Sequence, residues 1–397
     1  MDATRFAASA PGRLVTTAGG SWSFVPGPLP PQLVVDAGSA LLLSEADRLL
    51  GELSGLGRAL PNPHLLIRPF LRREAVLSSR IEGTQASLAD LLQYEAGQLP
   101  LLRDDRPSTT DAREVHNYVE ALEYGLERLH RLPVSLRLIR ELHERLLHGV
   151  RGGSLRPGEF RTIQNYIAPP GAGVEDATYV PPPPEEMLTA LDLFEKFIHE
   201  PLTVPPLVWL ALVHYQFEAI HPFIDGNGRI GRLLIALLLV ERGWLSRPLL
   251  YLSAYFERYR TEYYDHLLAV STDGHWGAWV SFFVRGIAAQ AADAIRRSDR
   301  LLDLRDRYRE QLSQARASAL LLRMVDDLFG RPVLTIGLTA RELGVTFPAA
   351  QAIVDRLVDE GILHEVTGQR RNRLFVAREV LDLLDQPLEE VDQTAEA

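Results

Sequence analysis

The stretch HPFIDGNGRIGR at residues 221–232 decides how this sequence is interpreted. Its centre, Gly226, Asn227 and Gly228, allows successive backbone N–H groups to turn to one side and form an anion-binding nest. The apolar run that follows predicts a helix, and the free N–H groups at a helix start also favour anions. The stretch is therefore expected to bind a phosphate chain.

Charged side chains of the same stretch add chemistry to the nest. Arg229 and Arg232 share a helix face, so both can reach one polyphosphate with planar guanidinium groups. Asp225 is a hard oxygen ligand beside the nest and suits Mg²⁺. The ordinary pKa of a histidine such as His221 suits proton transfer near neutral pH. A proton acceptor, a metal ligand, a phosphate nest and two cations thus lie together.

These residues resemble the signature of the Fic family, HxFx(D/E)GNGRxxR, and every fixed position matches. The resemblance implies a mainly α fold, in which a helical core carries a small β-hairpin flap. It also implies transfer of AMP from ATP to a Ser, Thr or Tyr hydroxyl of a target protein, with release of pyrophosphate. Some members of the family transfer UMP, phosphate or phosphocholine, and the unbroken signature favours ATP and AMP.

The resemblance implies a role for each position of the stretch. His221 would be the general base that takes the hydroxyl proton. Asp225 would hold Mg²⁺ between the α- and β-phosphates, and the backbone at 226–228 would cradle the phosphates. Arg229 and Arg232 would bind the β- and γ-phosphates and stabilise the departing pyrophosphate.

The same resemblance implies further nucleotide contacts. The segment ATYVP at 177–181, which includes Thr178 and Tyr179, resembles the family's flap. In that role it would lie over the nucleotide and pin the target backbone as an added strand. Tyr263 and Tyr264 resemble residues near the adenine and ribose, although ordinary helix packing explains them equally well.

An inhibitory motif is predicted upstream, in SSRIEG at 78–83, which resembles the family's (S/T)xxxE(G/N) motif. Ser78 and Glu82 share a helix face, and Gly83 suits the left-handed residue that ends a helix. A carboxylate at a helix C-terminus gains nothing from the dipole, so we expect Glu82 to pair with a cation such as Arg232. That pair would make ATP bind unproductively. In some relatives the same glutamate also helps to remove AMP.

The composition sets wider limits. The 397 residues are 46% hydrophobic and 24% charged, as in ordinary globular proteins, and suffice for two or three domains. A net charge of −10 argues against unspecific attraction to nucleic acid or anionic membranes. The lack of cysteine excludes disulfides and Cys-ligated zinc. The N-terminus carries no secretory signal and no apolar stretch could span a bilayer, so a cytoplasmic protein without membrane contact is expected.

The chain is divided into five predicted units. They are an N-terminal arm and helices with the inhibitory motif at 1–108, a Fic catalytic core at 109–292, an exposed connecting helix at 293–319, a winged helix at 320–385 and an acidic tail at 386–397. Residues 1–35, rich in Pro, Gly, Ser and Ala, are expected to form a loose arm. A helix is expected to start near Pro69, and FRTIQNYI at 160–167 is expected to pair with ATYV as a hairpin.

The C-terminal unit shows helix, turn, helix and hairpin in the order that describes a winged helix. Its wing carries Arg370, Arg371 and Arg373, and these arginines are expected to have no nearby acid. Residues 339–376 nevertheless hold five basic and five acidic side chains, whereas duplex binders usually show a clear basic face. DNA binding is therefore open but less favoured than a structural or target-docking role. The sequence leaves formation of a homodimer open as well.

Two other functional classes remain. A metal-dependent phosphohydrolase would use His214, His221 and Asp225, since His214 lies two helical turns before His221. The nest and arginines suit a polyphosphate donor better, and the clustered carboxylates are too few for a two-metal site. A DNA-binding regulator would use the Fic-like part only to sense a nucleotide, but such a sensor has no need of a base at His221.

Overall fold

The computed structural model describes residues 1–34, 36–60, 62–97, 109–169, 171–314, 318–368 and 372–388. Within these ranges the chain is mainly α-helical with small antiparallel sheets, which confirms the predicted fold class. The helices are α1 Ala37–Ala59, α2 His64–Ile81, α3 Leu88–Glu95, α4 Thr109–Arg128, α5 Leu136–Leu146, α6 Pro184–His199, α7 Pro206–Ile220, α8 Asn227–Glu241, α9 Ser253–Arg258, α10 Arg260–Asp273, α11 Trp276–Gln314, α12 Ala319–Gly330, α13 Ile336–Leu343, α14 Phe347–Asp359 and α15 Arg378–Asp385. The strands are β1 Gly12–Thr16, β2 Trp22–Pro26, β3 Val333–Thr335, β4 His364–Glu365 and β5 Leu374–Val376.

The helices around the 221–232 stretch form the centre of the molecule. Helix α7 is apolar on all sides and almost wholly buried, as expected for a helix surrounded by others. It packs against α6, α8, α10 and α11. Helix α2 contacts α4, α8, α9, α12 and α15, so its C-terminal end reaches the start of α8. Among the described residues, no helix combines the length and the apolar character needed to cross a membrane.

The N-terminal residues form a packed hairpin, and the prediction of a loose arm is wrong. Strands β1 and β2 pair antiparallel from Gly12↔Pro26 to Thr16↔Trp22. Phe24 is fully buried, its ring lies 5.3 Å from that of Phe6, and its N–H donates to the Val180 carbonyl at 2.9 Å. The Gly- and Pro-rich composition concealed two short strands whose position depends on one buried aromatic side chain.

Helix α2 starts earlier than predicted, so Pro69 lies inside it rather than at its start. A proline in the second turn removes one backbone hydrogen bond, and buried side chains on both sides of it hold the helix in place. The predicted end is confirmed, because Gly83 adopts a φ of +96°. The next helix starts with a complete capping box between Ser87 and Asp90.

Helix α11 continues without a break across the predicted boundary between core and connecting helix. Its second half was predicted to be an exposed connecting helix, but one face of it is buried. Leu301, Leu304 and Tyr308 are buried against α12 and α15. The charged residues between them hid this apolar stripe, which attaches the C-terminal unit to the rest of the protein.

The C-terminal unit has the element order predicted for a winged helix. Helices α13 and α14 follow β3, and the sheet has the strand order β3-β5-β4. The expectation that the wing arginines lack an acid is wrong for Arg373, which lies 3.5 Å from Glu365 and 3.8 Å from Asp355. The other two wing arginines and the tail from residue 389 onward lie outside the described residues.

The segment between α5 and α6 lies against the 221–232 stretch. The predicted hairpin within it is reduced to a single antiparallel bridge between Ile167 and Tyr179. The Ile167 N–H donates to the Tyr179 carbonyl at 2.8 Å, and the Thr178 N–H donates to the Ile167 carbonyl at 2.8 Å. Consecutive prolines after Val180 remove the N–H groups that a longer ladder would need.

Truncation of Phe24 tests the packed N-terminal hairpin. We expect Phe24→Ala to lower the free energy of unfolding by about 3–5 kcal/mol, because a buried aromatic ring is lost and a cavity remains. Trp22→Ala, at a 44% exposed position of the same strand, serves as the control and should cost much less. Denaturant unfolding measures both variants. Equal free energies of unfolding for Phe24→Ala and wild type would contradict the packed hairpin and support the interpretation of a loose arm.

Candidate active site

The loop between α7 and α8 is held by its own side chains. His221 ends α7 in the left-handed region with φ +50°, and Gly226 precedes α8 with φ +81°. The Asn227 side chain accepts from the Phe223 N–H at 2.8 Å and donates to the Phe223 carbonyl at 2.9 Å. The side chain of Asn227 therefore shapes the loop, and the N–H groups of the first turn of α8 remain as the predicted anion site.

The surroundings of His221 keep its imidazole ring neutral. Its Nδ1 lies 3.3 Å from the Glu218 carbonyl, and its own carbonyl accepts from Arg161 Nε at 3.0 Å. Burial, together with the Arg161 guanidinium, lowers the pKa of His221 to about 4. Because a carbonyl only accepts, Nδ1 carries the hydrogen and Nε2 carries the lone pair. The ring is therefore unprotonated at neutral pH, and the lone pair on Nε2 is available to accept a proton from a reacting hydroxyl.

Arg232 is bound by the SSRIEG segment at 78–83, and its pairing with Glu82 is the one that the sequence predicted. Its Nη2 donates to Glu82 Oε1 at 2.6 Å and to the Ser78 carbonyl at 2.9 Å, and its Nε donates to Ser78 Oγ at 2.9 Å. The guanidinium is 1% exposed, so it is removed from water almost completely. Burial alone would raise the pKa of Glu82, but the charge of Arg232, the hydrogen bond from it and the charge of Arg229 together outweigh burial, so the pKa is lowered. Glu82 is therefore an anion in this pair.

The Glu82 carboxylate lies directly on the phosphate loop. A Cβ added at Gly228 would come within 2.4 Å of Glu82 Oε1 and 3.0 Å of Arg232 Nη1. Only a glycine allows the carboxylate and the guanidinium to approach the loop so closely. The signature glycine thus serves the ion pair as well as any bound phosphate.

Arg229 is buried between two carboxylates on different elements. Its Nη2 lies 3.6 Å from Asp225 Oδ1, and its Nη1 lies 3.8 Å from Glu114 Oε2. Asp225 is 37% exposed and also accepts from the Gly226 N–H at 2.6 Å. The structure therefore brings the proposed metal ligand and both arginines together at the start of α8.

Three further residues of this site were missed by the sequence interpretation. Arg161 donates to the His221 carbonyl, and Glu114 lies beside Arg229. Glu218 lies against Gly231, where a Cβ would meet its Oε1 at 2.2 Å. Burial, in spite of nearby Arg232, raises the pKa of Glu218 to about 8, so this carboxyl is largely protonated at pH 7. Its place three residues before His221 was the only available signal.

The predicted flap contacts divide into an exposed and a buried residue. Thr178 is exposed beside the bridge to Ile167. Tyr179 is buried, and its hydroxyl donates to the Ala219 carbonyl at 2.8 Å. The Tyr179 ring therefore anchors the flap to α7, and its side chain does not face a nucleotide.

The two tyrosines of α10 also differ. Tyr263 is fully buried, and its hydroxyl lies 2.8 Å from His214 Nε2. Tyr264 is 41% exposed and close enough to Glu82 and Arg232 for their charges to affect the pKa of its hydroxyl. The structure thus places Tyr263 in the core and leaves Tyr264 at the site.

The phosphohydrolase alternative finds no support in the geometry. Both ring nitrogens of His214 have partners, since Nδ1 lies 3.2 Å from the Gly231 carbonyl and Nε2 bonds Tyr263. Burial, together with Arg232, lowers the pKa of His214 to about 3. Across the ranges that the structure describes, no group of three His, Asp or Glu residues could hold a metal ion.

Comparison with known proteins agrees with this geometry. The model of the Fic/DOC family N-terminal domain matches residues 40–127, and that of the Fic/DOC family matches residues 133–239. Protein adenylyltransferase Fic of Drosophila grimshawi is 30% identical over 205 residues, 51% of this chain and 38% of that protein. The protein of the same name from Drosophila yakuba is 29% identical over 51% of this chain and 37% of its own length.

The match therefore spans less than two-fifths of these Drosophila relatives. A crystal structure of a Fic family protein from Desulfovibrio desulfuricans has a TM-score of 0.56 with this chain at 18% identity. It covers 88% of this chain and 98% of its own, which shows a common fold. With the inhibitory motif inside the first matched region and the 221–232 stretch inside the second, the chain belongs to the Fic/DOC family.

Proposed function

We propose that this protein is an adenylyltransferase that moves AMP from ATP to a Ser, Thr or Tyr hydroxyl of a target protein and is inhibited by its own Glu82. The ion pair between Arg232 and Glu82, at 2.6 Å, carries the proposal. It joins the phosphate loop to the inhibitory motif across 150 residues of sequence. The names of the Drosophila relatives support AMP as the transferred group.

The residues of the loop suit the proposed reaction. His221 Nε2 takes the proton while the target hydroxyl oxygen attacks the α-phosphorus. The bond from the α-phosphorus to the bridging oxygen breaks, and pyrophosphate leaves with the bonding electrons. Arg229 and Arg232 stabilise the charge that develops on the departing phosphates, so catalysis rests on positioning and electrostatics.

Asp225 fits the magnesium ion that this chemistry requires. Its carboxylate is partly exposed at the mouth of the loop, and Mg²⁺ is usually bound through one or two carboxylates together with substrate phosphates. The bound ion would neutralise charge on the phosphates. Asp225 contributes the hard oxygen ligand, and the helix start orients the phosphate oxygens beside it.

Inhibition follows from competition for one cation. Arg232 directs Nη2 at Glu82, and the same guanidinium is proposed to bind the γ-phosphate. The carboxylate lies over Gly228, where a phosphate would also lie, and two anions repel at that distance. Glu82 must therefore leave before ATP takes a productive position. Once displaced, it is a carboxylate near the site that could orient a water for removal of AMP.

The remaining parts of the chain are assigned roles within the same proposal. The exposed Thr178 edge of the flap would meet the target backbone, while Tyr264 would lie near the nucleoside. The C-terminal winged helix would have a structural or target-docking role, since Arg373 is already close to two acids. The absence of cysteine fits work in the cytoplasm.

Transfer of label from ATP marked at the α-phosphate tests both the chemistry and the inhibitor. We expect Glu82→Gly to raise labelling on the order of tenfold or more, because Arg232 becomes free for the γ-phosphate. Adding His221→Ala to Glu82→Gly should then reduce the rate by about 10²–10⁴-fold, since the general base is lost. Wild type and both variants are compared with Mg²⁺ and a cell lysate as target source.

An unchanged rate in Glu82→Gly would contradict the inhibitory role. Labelling that survives the loss of His221 would contradict the assignment of the base. A complete lack of labelling in all variants, with either Mg²⁺ or Mn²⁺, would indicate another donor or a function other than catalysis.

The low pKa of His221 makes a separate prediction about pH. In the Glu82→Gly variant, kcat/KM should stay level as pH falls from about 8 to about 6, where an ordinary histidine would already be half protonated. The rate should fall only as pH approaches the His221 pKa of about 4, where the ring gains a proton and stops acting as a base. Glu218→Gln in the same background controls for the neighbouring carboxyl, whose pKa is raised by burial. A decline centred near pH 6.5 in both proteins would contradict a neutral, buried His221.

A further inference from the structure

Glu114 on α4, which the reaction described above does not use, lies where side chains from several elements meet. It is 2% exposed, and its Oε2 accepts a hydrogen bond from Thr84 Oγ1 at 3.2 Å. The same oxygen lies 3.8 Å from Arg229 Nη1 and 3.7 Å from Arg151 Nη2. A buried carboxylate is costly unless it is paired, so its position against Arg229 is a constraint of the fold.

Arg229 is charged, buried and incompletely bonded. It is 2% exposed, and among the described residues its Nε and Nη1 have no hydrogen-bond partner. The two carboxylates beside it, on Asp225 and Glu114, lie beyond hydrogen-bond distance. They attract and orient the guanidinium without occupying its donors. Unpaired buried donors of this kind are costly in an empty site and are satisfied by an anionic ligand.

We propose that Glu114 is a positioning residue, which holds Arg229 so that its unpaired donors face the polyphosphate of the nucleotide. This inference rests on the proposed function, because it takes a phosphate chain as the ligand. Asp225 is assigned to the metal ion when substrate binds, and Glu114 then remains as the carboxylate beside Arg229. Thr84 fixes Glu114 in turn, and its own N–H donates to the Ser79 carbonyl in the turn that ends α2.

A positioning role and a purely structural role give different results with two nucleotides. Arg229 is proposed to contact the phosphates beyond the α-phosphate, which ATP has and AMP lacks. Loss of its orientation should weaken ATP and spare AMP. A general disturbance of α4 should weaken both nucleotides together, or neither of them.

The experiment compares Glu114→Gln with Glu120→Gln, each added to Glu82→Gly. Glu120 is an exposed carboxylate on the same helix and provides the matched control. Calorimetric titration should show the Kd of Glu114→Gln for ATP rising roughly tenfold and its Kd for AMP changing less than about twofold, with the control unchanged. Label transfer should show the same rise in KM for ATP together with a fall in kcat, because Arg229 also stabilises the charge that develops on the departing phosphates.

Equal losses for ATP and AMP, or values of Glu114→Gln that match the control, would overturn the inference. If Glu114→Gln does not fold, Thr84→Val gives a second test, since it removes only the hydroxyl that fixes Glu114. It should weaken ATP binding in the same direction by a smaller factor and leave AMP binding unchanged, and an unaffected Kd for ATP overturns the inference. A Glu82→Gly protein that neither binds ATP nor transfers label would instead overturn the proposed function.

Discussion

A buried guanidinium at the start of α8 is the constraint on which the rest of the site depends. Arg232 is always charged and lies almost entirely out of water. A charge of this kind requires an anionic partner, and loss of one partner from a buried pair typically costs about 3–5 kcal/mol. In this structure the partner is Glu82, supported by two bonds to Ser78. The requirement for an anion ties the fold of α2 to the chemistry of the loop.

The same requirement explains how one side chain could serve both the inhibition and the catalysis that we propose. A carboxylate and a phosphate oxygen accept the same charge-assisted hydrogen bonds, so each can satisfy Arg232, and the glycine at 228 gives either of them access to the loop. Glu82 is part of the chain, so its effective concentration at the loop is high, and a nucleotide must compete with it. Under the proposed function, the geometry described, with Glu82 bound to Arg232, is the inhibited state.

Much of the site was predictable because the 221–232 stretch is local. The anion nest, His221, Asp225 and the two arginines lie close together in sequence, on one turn and at the start of α8, so their relative positions follow from local geometry. The pair between Glu82 and Arg232 could be anticipated only through the family resemblance, since 150 residues separate its members. Glu114 had no signal at all, because a single acid on an amphipathic helix usually faces water. The N-terminal hairpin was missed because its stability comes from burial of Phe24, which local composition does not reveal.

Helix α2, whose C-terminal cap is Glu82, also contacts helices of the C-terminal unit. One face carries Ser78 toward α8, and the other packs on α12 and α15. Arg73 on that second face lies 3.6 Å from Asp293 of α11 and donates to the carbonyl of Gln386 just after α15. A helix transmits position along its length, because its backbone hydrogen bonds resist bending. The place of Glu82 over the loop therefore depends on the packing of the whole helix, including its contacts with the C-terminal unit, as well as on one ion pair.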